Sequence, residues 1–260
     1  MDENSIVLEL NGFPKRRMTM KKKRSKGLKI FILLILLVII LVGAFFIGRE
    51  ILSHKRAQHQ FQQLAKEIAD NSSTGRNLSV LFKKNNECIG WVSIKDTPID
   101  YPVMYTPNDP KKYLYMNFEK EYSSSGTPFL DARCNVDSDN CIIYGHNMRN
   151  GQLFASLKKY VDSEYCEKHP EIEFETAGGN NIYHIFAVVS LKESDDWYNF
   201  VDAPNQKNFK SNLSVLMEKA LYTTGIKPKY GQQVITLSTC YGSGKDDRLI
   251  VVAVNTNAGL

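Results

Sequence analysis

The chain has no Cys-x-x-Cys pair and no His-Glu-x-x-His run, two spacings that commonly close a zinc site. Its five histidines and five cysteines are scattered, so no metal ligand set is expected and no cofactor is assigned. A glycine-rich phosphate loop is also missing, which removes the usual mark of a nucleotide-binding enzyme. Internal repeats and low-complexity tracts are absent, so neither a solenoid nor a disordered scaffold fits.

Acids are scarce at the start. Before residue 30 three of them (Asp2, Glu3, Glu9) face nine Lys or Arg, so that stretch carries +6. The whole chain carries +5, which leaves the rest near neutral at −1. Nucleic acid is therefore not an expected partner: the basic excess is confined to one end. Immediately after it, residues 30–48 are an unbroken apolar run of Ile, Leu, Val, Phe, Ala and Gly. As a helix that run is about 28 Å long, close to the thickness of a bilayer's hydrocarbon core. No Ala-x-Ala-like cleavage site follows it. The expectation is a single-pass membrane protein: residues 1–29 cytoplasmic by the positive-inside rule, 30–48 a signal-anchor, 49–77 a helical stalk and linker, and 78–260 an exported domain. In the stalk, Leu52, Phe61, Leu64 and Ile68 fall on one stripe, and residues 71–75 read as a turn.

Five cysteines in an exported domain leave at least one unpaired within the chain. Cys134 and Cys141 could close a short loop, although a domain of this size does not need staples. Cys88, Cys134, Cys141 and Cys166 are expected to be small buried hydrophobes.

From residue 88 the pattern becomes one of short strands, at 90–94, 99–105, 127–132, 140–145, 171–176, 183–191, 233–240 and 248–255. Gly178-Gly179-Asn180 signals a hairpin. Helical pieces are expected at 109–116, 152–160 and 205–222, the last burying Phe209, Leu213, Leu216, Met217 and Leu221. Eight strands with few helices predict a mainly β fold, an eight-stranded barrel with peripheral helices, preceded by the single membrane helix.

Three residues carry the chemistry. Cys240 ends the apolar run 233–237 and is followed by a glycine-containing loop, a position for an accessible nucleophile. His146 lies where the strand Ile142-Ile143-Tyr144-Gly145 runs into a polar turn, and it is the candidate acid/base. The other histidines are on the stalk (His54, His59), before a proline (His169) or inside a strand (His184). Arg248 opens the last strand; it is either a surface arginine paired with Asp246 or Asp247, or an oxyanion donor.

These residues resemble those of the sortases, membrane-anchored cysteine transpeptidases of Gram-positive bacteria. The family's Thr-Leu-x-Thr-Cys motif stands here as Thr236-Leu237-Ser238-Thr239-Cys240, with its arginine at Arg248 and its histidine at His146. Gly90-Trp91-Val92-Ser93-Ile94, Ile99-Asp100-Tyr101-Pro102-Val103, Tyr113-Leu114 with Asn117-Phe118, and the run from Gly126 to Asp131 resemble class B in particular. So does a helix at 205–222 between the sixth and seventh strands. The resemblance spans about residues 78–255. It implies that Cys240 attacks the threonine carbonyl of a C-terminal sorting signal, that Arg248 stabilises the oxyanion, and that His146 protonates the departing amine. An amine of a peptidoglycan precursor then resolves the thioester, anchoring a surface protein to the wall. Substrates of the class bear NPxT-like signals, and some members polymerise pilins instead. Ser238 and Thr239, with Asn117 by position, are expected along the substrate groove. The loop 241–247 is glycine-rich here and departs from the family pattern, so contacts within it do not carry over.

Two other readings differ in testable ways. A papain-type surface protease would resolve the thioester with water, but the order here is His before Cys and the papain-like cysteine signature is absent. A non-catalytic tethered barrel that binds wall or haem-protein partners would tolerate alanine at Cys240, His146 and Arg248.

Overall fold

The computed structural model describes residues 26–69 and 76–256, so the basic tract before Lys26 and the expected turn at 71–75 lie outside the described residues. Two compact units divide the chain after Arg49. The first contains the opening part of helix α1 (Lys26–Ile68), whose apolar stretch is long enough to cross a membrane by length and composition. Its large side chains from Ile30 to Val42 are exposed, as lipid-facing residues would be.

The second unit is a closed barrel of β1 (Cys88–Ser93), β2 (Asp100–Met104), β3 (Phe129–Leu130), β4 (Asn140–Tyr144), β5 (Glu171–Thr176), β6 (Gly179–Lys192), β7 (Val234–Cys240) and β8 (Asp247–Asn255). The strand order is β1-β2-β3-β4-β7-β8-β6-β5, and β5 returns to pair with β1. Six of these seams are antiparallel, but β2/β3 and β4/β7 run parallel. Closure leaves every strand with a backbone partner on both edges. Seven consecutive residues of β8, Leu249 to Asn255, are buried.

The lower part of α1 is not a free stalk. Ala57, Phe61, Leu64 and Ile68, spaced by three or four residues, join the barrel's core, and Phe61 packs edge-on against Tyr101 at 5.1 Å between ring centres. Leu52, expected on that stripe, is exposed, and Ala57 takes the next buried position along it. Arg76 then fastens the chain to the barrel, donating to the buried Glu175 and to Asp100, which also receives the Trp91 indole N–H at 2.7 Å.

Several expected elements change length. β3 shrinks to two residues because the Thr127 N–H instead donates to Tyr113 O (2.9 Å) and Asp131 O accepts from the Cys134 N–H in a turn (3.0 Å). β6 begins earlier, since Gly179 already pairs with Thr176 and makes Ala177-Gly178 the hairpin turn. The pieces expected at 109–116 and 152–160 are 3-10 turns, Lys112–Leu114 and Phe154–Val161. Short helices α2 (Ser79–Lys84) and α3 (Ser163–Lys168) and a 3-10 turn at Asp196–Asn199 had no counterpart in the sequence reading. Helix α4 (Gln206–Glu218) starts on an Asn205 cap and ends before Leu221, whose N–H goes to Val188 O at 2.9 Å. Leu221 is therefore exposed, while Phe209, Leu213 and Leu216 are buried as expected.

Candidate active site

The site is made by register. In the antiparallel ladder of β7 and β8, Cys240 is paired with Arg248. On the other side β4 runs parallel to β7, with Tyr144 opposite Ser238 and the Gly145 N–H donating to Ser238 O at 3.1 Å. Two residues further along come Cys240, still on β7, and His146, just past the end of β4. Directly paired residues of neighbouring strands share a face, so Cys240 and Arg248 do. Segments 94 residues apart are held together here by Thr239 Oγ1 donating to Gly145 O at 2.7 Å. Asn147 Nδ2 adds a second tie, to Cys240 O at 2.9 Å.

Each side chain is further constrained. His146 Nε2 lies 2.9 Å from Leu114 O. A carbonyl only accepts, so this partner assigns a hydrogen to Nε2. The Tyr115 ring lies alongside at 6.0 Å. Gly145 has no room for a side chain, because a Cβ there would sit 2.6 Å from the Phe154 ring. Arg248 is mostly buried; its Nη1 donates to Lys245 O and Asp247 O, each at 3.0 Å, and its Nη2 to Glu193. Its ion-pair partner is thus Glu193, not Asp246 or Asp247.

Asp247 folds back over the glycine-rich loop. It accepts from Lys192 and from the Gly244 N–H at 2.8 Å, which hold its carboxyl below the usual carboxylate range. A Cβ at Gly244 would collide with that carboxylate, and Gly242 has φ +77°. Both glycines therefore serve the turn that returns the chain from Cys240 to Arg248.

Ser238 and Thr239 were expected to line a groove, but both are buried. Ser238 Oγ and Tyr198 OH are 2.8 Å apart, and Thr239 is tied to Gly145. Burial pushes the Tyr198 phenol up to about 12. Tyr198 stacks on Tyr144, whose hydroxyl donates to Asp131 at 2.8 Å. Asp131 is buried, which would raise its pKa, but hydrogen bonds from Arg133 and Tyr144 outweigh this and hold it low. Asn117 is committed to its own turn, where Oδ1 accepts from the N–H groups of Glu119 and Glu121 at 3.0 and 2.8 Å.

All five cysteines are free and only Cys240 is exposed. Burial pushes the thiol of Cys88 up to about 12 and that of Cys134 to about 11, and it raises Cys141 and Cys166 as well. Among the described residues no cluster of three or more His, Cys, Asp or Glu could hold a metal. Sequence reasoning missed Asn147, Glu193, Tyr198 and the Leu114 carbonyl. Of these only Asn147 carried a signal, by directly following His146.

A closed barrel with an exposed cysteine at the end of β7, paired with an arginine on β8, frames the site, and the chain belongs to the sortase family, whose Sortase domain matches residues 92–256. Sortase B of Listeria monocytogenes is 32% identical over 216 residues, 80% of this chain and 87% of that protein. Sortase B of Staphylococcus aureus is 24% identical over 239 residues, 88% of this chain and 97% of that one. Among solved structures, the S. aureus sortase B–substrate complex superposes with a TM-score of 0.67 at 26% identity, over 77% of this chain and 93% of that one. Within the family the chain is a class B sortase, and hence a cysteine transpeptidase.

Proposed function

We propose that this transpeptidase is anchored in the cell membrane by residues 30–48 with its barrel exported, and that it cuts a C-terminal sorting signal after threonine. The acyl group passes to an amine of a peptidoglycan precursor, fixing a surface protein to the wall. The pairing of Cys240 with Arg248 at the end of β7, with the residue after His146 hydrogen-bonded to Cys240 O, is the observation that carries this reading.

The Cys240 thiol first passes its proton to His146 Nδ1. Cys240 Sγ attacks the threonine carbonyl, and negative charge gathers on its oxygen. Arg248, fixed and permanently charged, is the donor that stabilises it. The carbon–nitrogen bond then breaks, and the departing amine takes the proton from His146 Nδ1. In the second half a neutral amine attacks the thioester carbon. It gives its proton to Nδ1, the carbon–sulfur bond breaks, and the Cys240 thiolate is restored. Ser238 and Thr239 contribute by holding the strand end, through Tyr198 and Gly145. The signal peptide is taken to follow an NPxT-like pattern and to lie on the side of β7 that faces the segment between β6 and β7. The existence of a substrate complex of the S. aureus relative supports a protein substrate.

The test is to incubate the full-length protein in detergent micelles with sorting-signal peptides and candidate amines, and to follow products by mass spectrometry. A thioester on Cys240 that is resolved by an amine is the expected result. A protein that cleaves no signal peptide and forms no thioester would overturn the reading.

A further inference from the structure

A cavity of about 1080 Å³ lies between the second half of α1 and the chain that follows His146. Its walls carry Lys66, Arg149, Lys158 and Lys159, with Asp100 the one carboxylate among them. Asp100 is already engaged by Arg76 and the Trp91 indole, and Lys159 stands over the Tyr165 ring. Lys66, Arg149 and Lys158 enter no ion pair among the described residues. A concave surface with three uncompensated cations favours an anion.

One wall of the cavity is linked to Cys240 through the chain. Asn147 Nδ2 holds Cys240 O at 2.9 Å, and five residues later Gln152 Nε2 donates to Gln58 Oε1 on α1 at 2.7 Å. Met148 to Gln152, between these ties, forms one wall. The cavity wall therefore continues from the segment that meets Cys240 on its His146 side, and Arg248 is not among its lining residues. Chemistry requires the same side for the acceptor, because its nitrogen must give a proton to His146 Nδ1 as it bonds to the thioester carbon.

We propose that this cavity is the acceptor subsite, and that it selects amines whose own molecule carries a phosphate or carboxylate. Lys66, Arg149 and Lys158 bind the anion, which places the amine at the thioester. The inference rests on the transpeptidation reading above.

The experiment uses full-length protein in detergent micelles, a sorting-signal peptide as acyl donor, and three glycyl acceptors. These are identical except for a terminal carboxamide, carboxylate or phosphate monoester. Acceptor KM is read from ligated product by mass spectrometry, with the Cys240 thioester measured in the same samples. The anionic acceptors are expected to show a KM about tenfold below the carboxamide, the scale of one charge-assisted contact. In the combined Lys66→Gln, Arg149→Gln, Lys158→Gln variant that ratio falls to near one. The anion with the lower KM identifies which group the site is built for. If the combined variant does not fold, each single variant is expected to lower the ratio about two- to threefold. Equal KM for all three acceptors in the unmodified protein, or a preference that survives in the variants, overturns the proposal. Absence of any thioester would instead remove the reading beneath it.

Discussion

Cys240 and Arg248 face each other as the pair that closes the β7/β8 ladder, and the seven-residue turn between them is bent around the Asp247 carboxylate. Thiol and guanidinium are thus set by backbone pairing, while Glu193 and two carbonyls hold the guanidinium itself. Small changes at either residue should be felt in turnover before they are felt in stability.

Reagent selectivity follows from exposure. A methanethiosulfonate is expected to form a mixed disulfide with Cys240 alone and to abolish activity, because the other four thiols are buried with raised pKa values. Peptide mapping after labelling checks this. Inactivation with the label on Cys88, Cys134, Cys141 or Cys166 would refute it.

Arg248→Lys should lower kcat/KM by about 10²- to 10³-fold. A single ammonium cannot keep Glu193, Lys245 O and Asp247 O together and also meet an oxyanion. The folded state should change little, since the Glu193 partner is largely exposed and such pairs contribute about 0–1 kcal/mol. Near-normal turnover in this variant would make the arginine purely structural.

Gly145→Ala drives a methyl group into the buried Phe154 ring, one residue before His146. Overpacking of this kind costs about 1–3 kcal/mol and shifts the adjacent backbone. The expected outcome is a lower melting temperature together with slower thioester formation. A variant that loses neither would show that the Phe154 ring yields freely.

Asp131→Asn tests the polar brace behind the site. Asp131 has a folded pKa below its unfolded value of about 3.9, so its contribution is present above that value and is lost as pH falls through the folded pKa. At pH 7 the variant should be about 1–2 kcal/mol less stable, from weakened bonds to Arg133 and Tyr144. In denaturant melts the gap between the two proteins should narrow as pH drops below about 4. A gap that is constant down to pH 2 would point to packing instead of charge.

Much of the fold was legible locally. Apolar runs such as Ile142-Ile143 and Leu249 to Val254 announce strands wherever they fold, and all eight lie within or beside the predicted positions. Lengths were less legible, because pairing partners decide them. Polar Asn180 and Asn181 join β6 only because β5 is there to bond them, and Leu221 leaves α4 for Val188 O. Ser238 and Thr239 show the same limit: the resemblance places them along a groove, and only the folded chain bonds their hydroxyls to Tyr198 and Gly145.

The sequence by itself determined which residues stand at strand ends, the apolar helix with basic residues on one side, and the Thr-Leu-x-Thr-Cys signature. These follow from local composition and periodicity, which any short window of the chain contains. Tertiary structure alone decided that β4 lies parallel to β7, which sets the segment around His146 against the end of β7, and that Glu193 holds Arg248. It also decided that α1 and the segment after His146 enclose a cation-lined cavity. Those relations join residues as much as 94 positions apart, and barrel closure, which leaves no backbone edge unpaired, selects them.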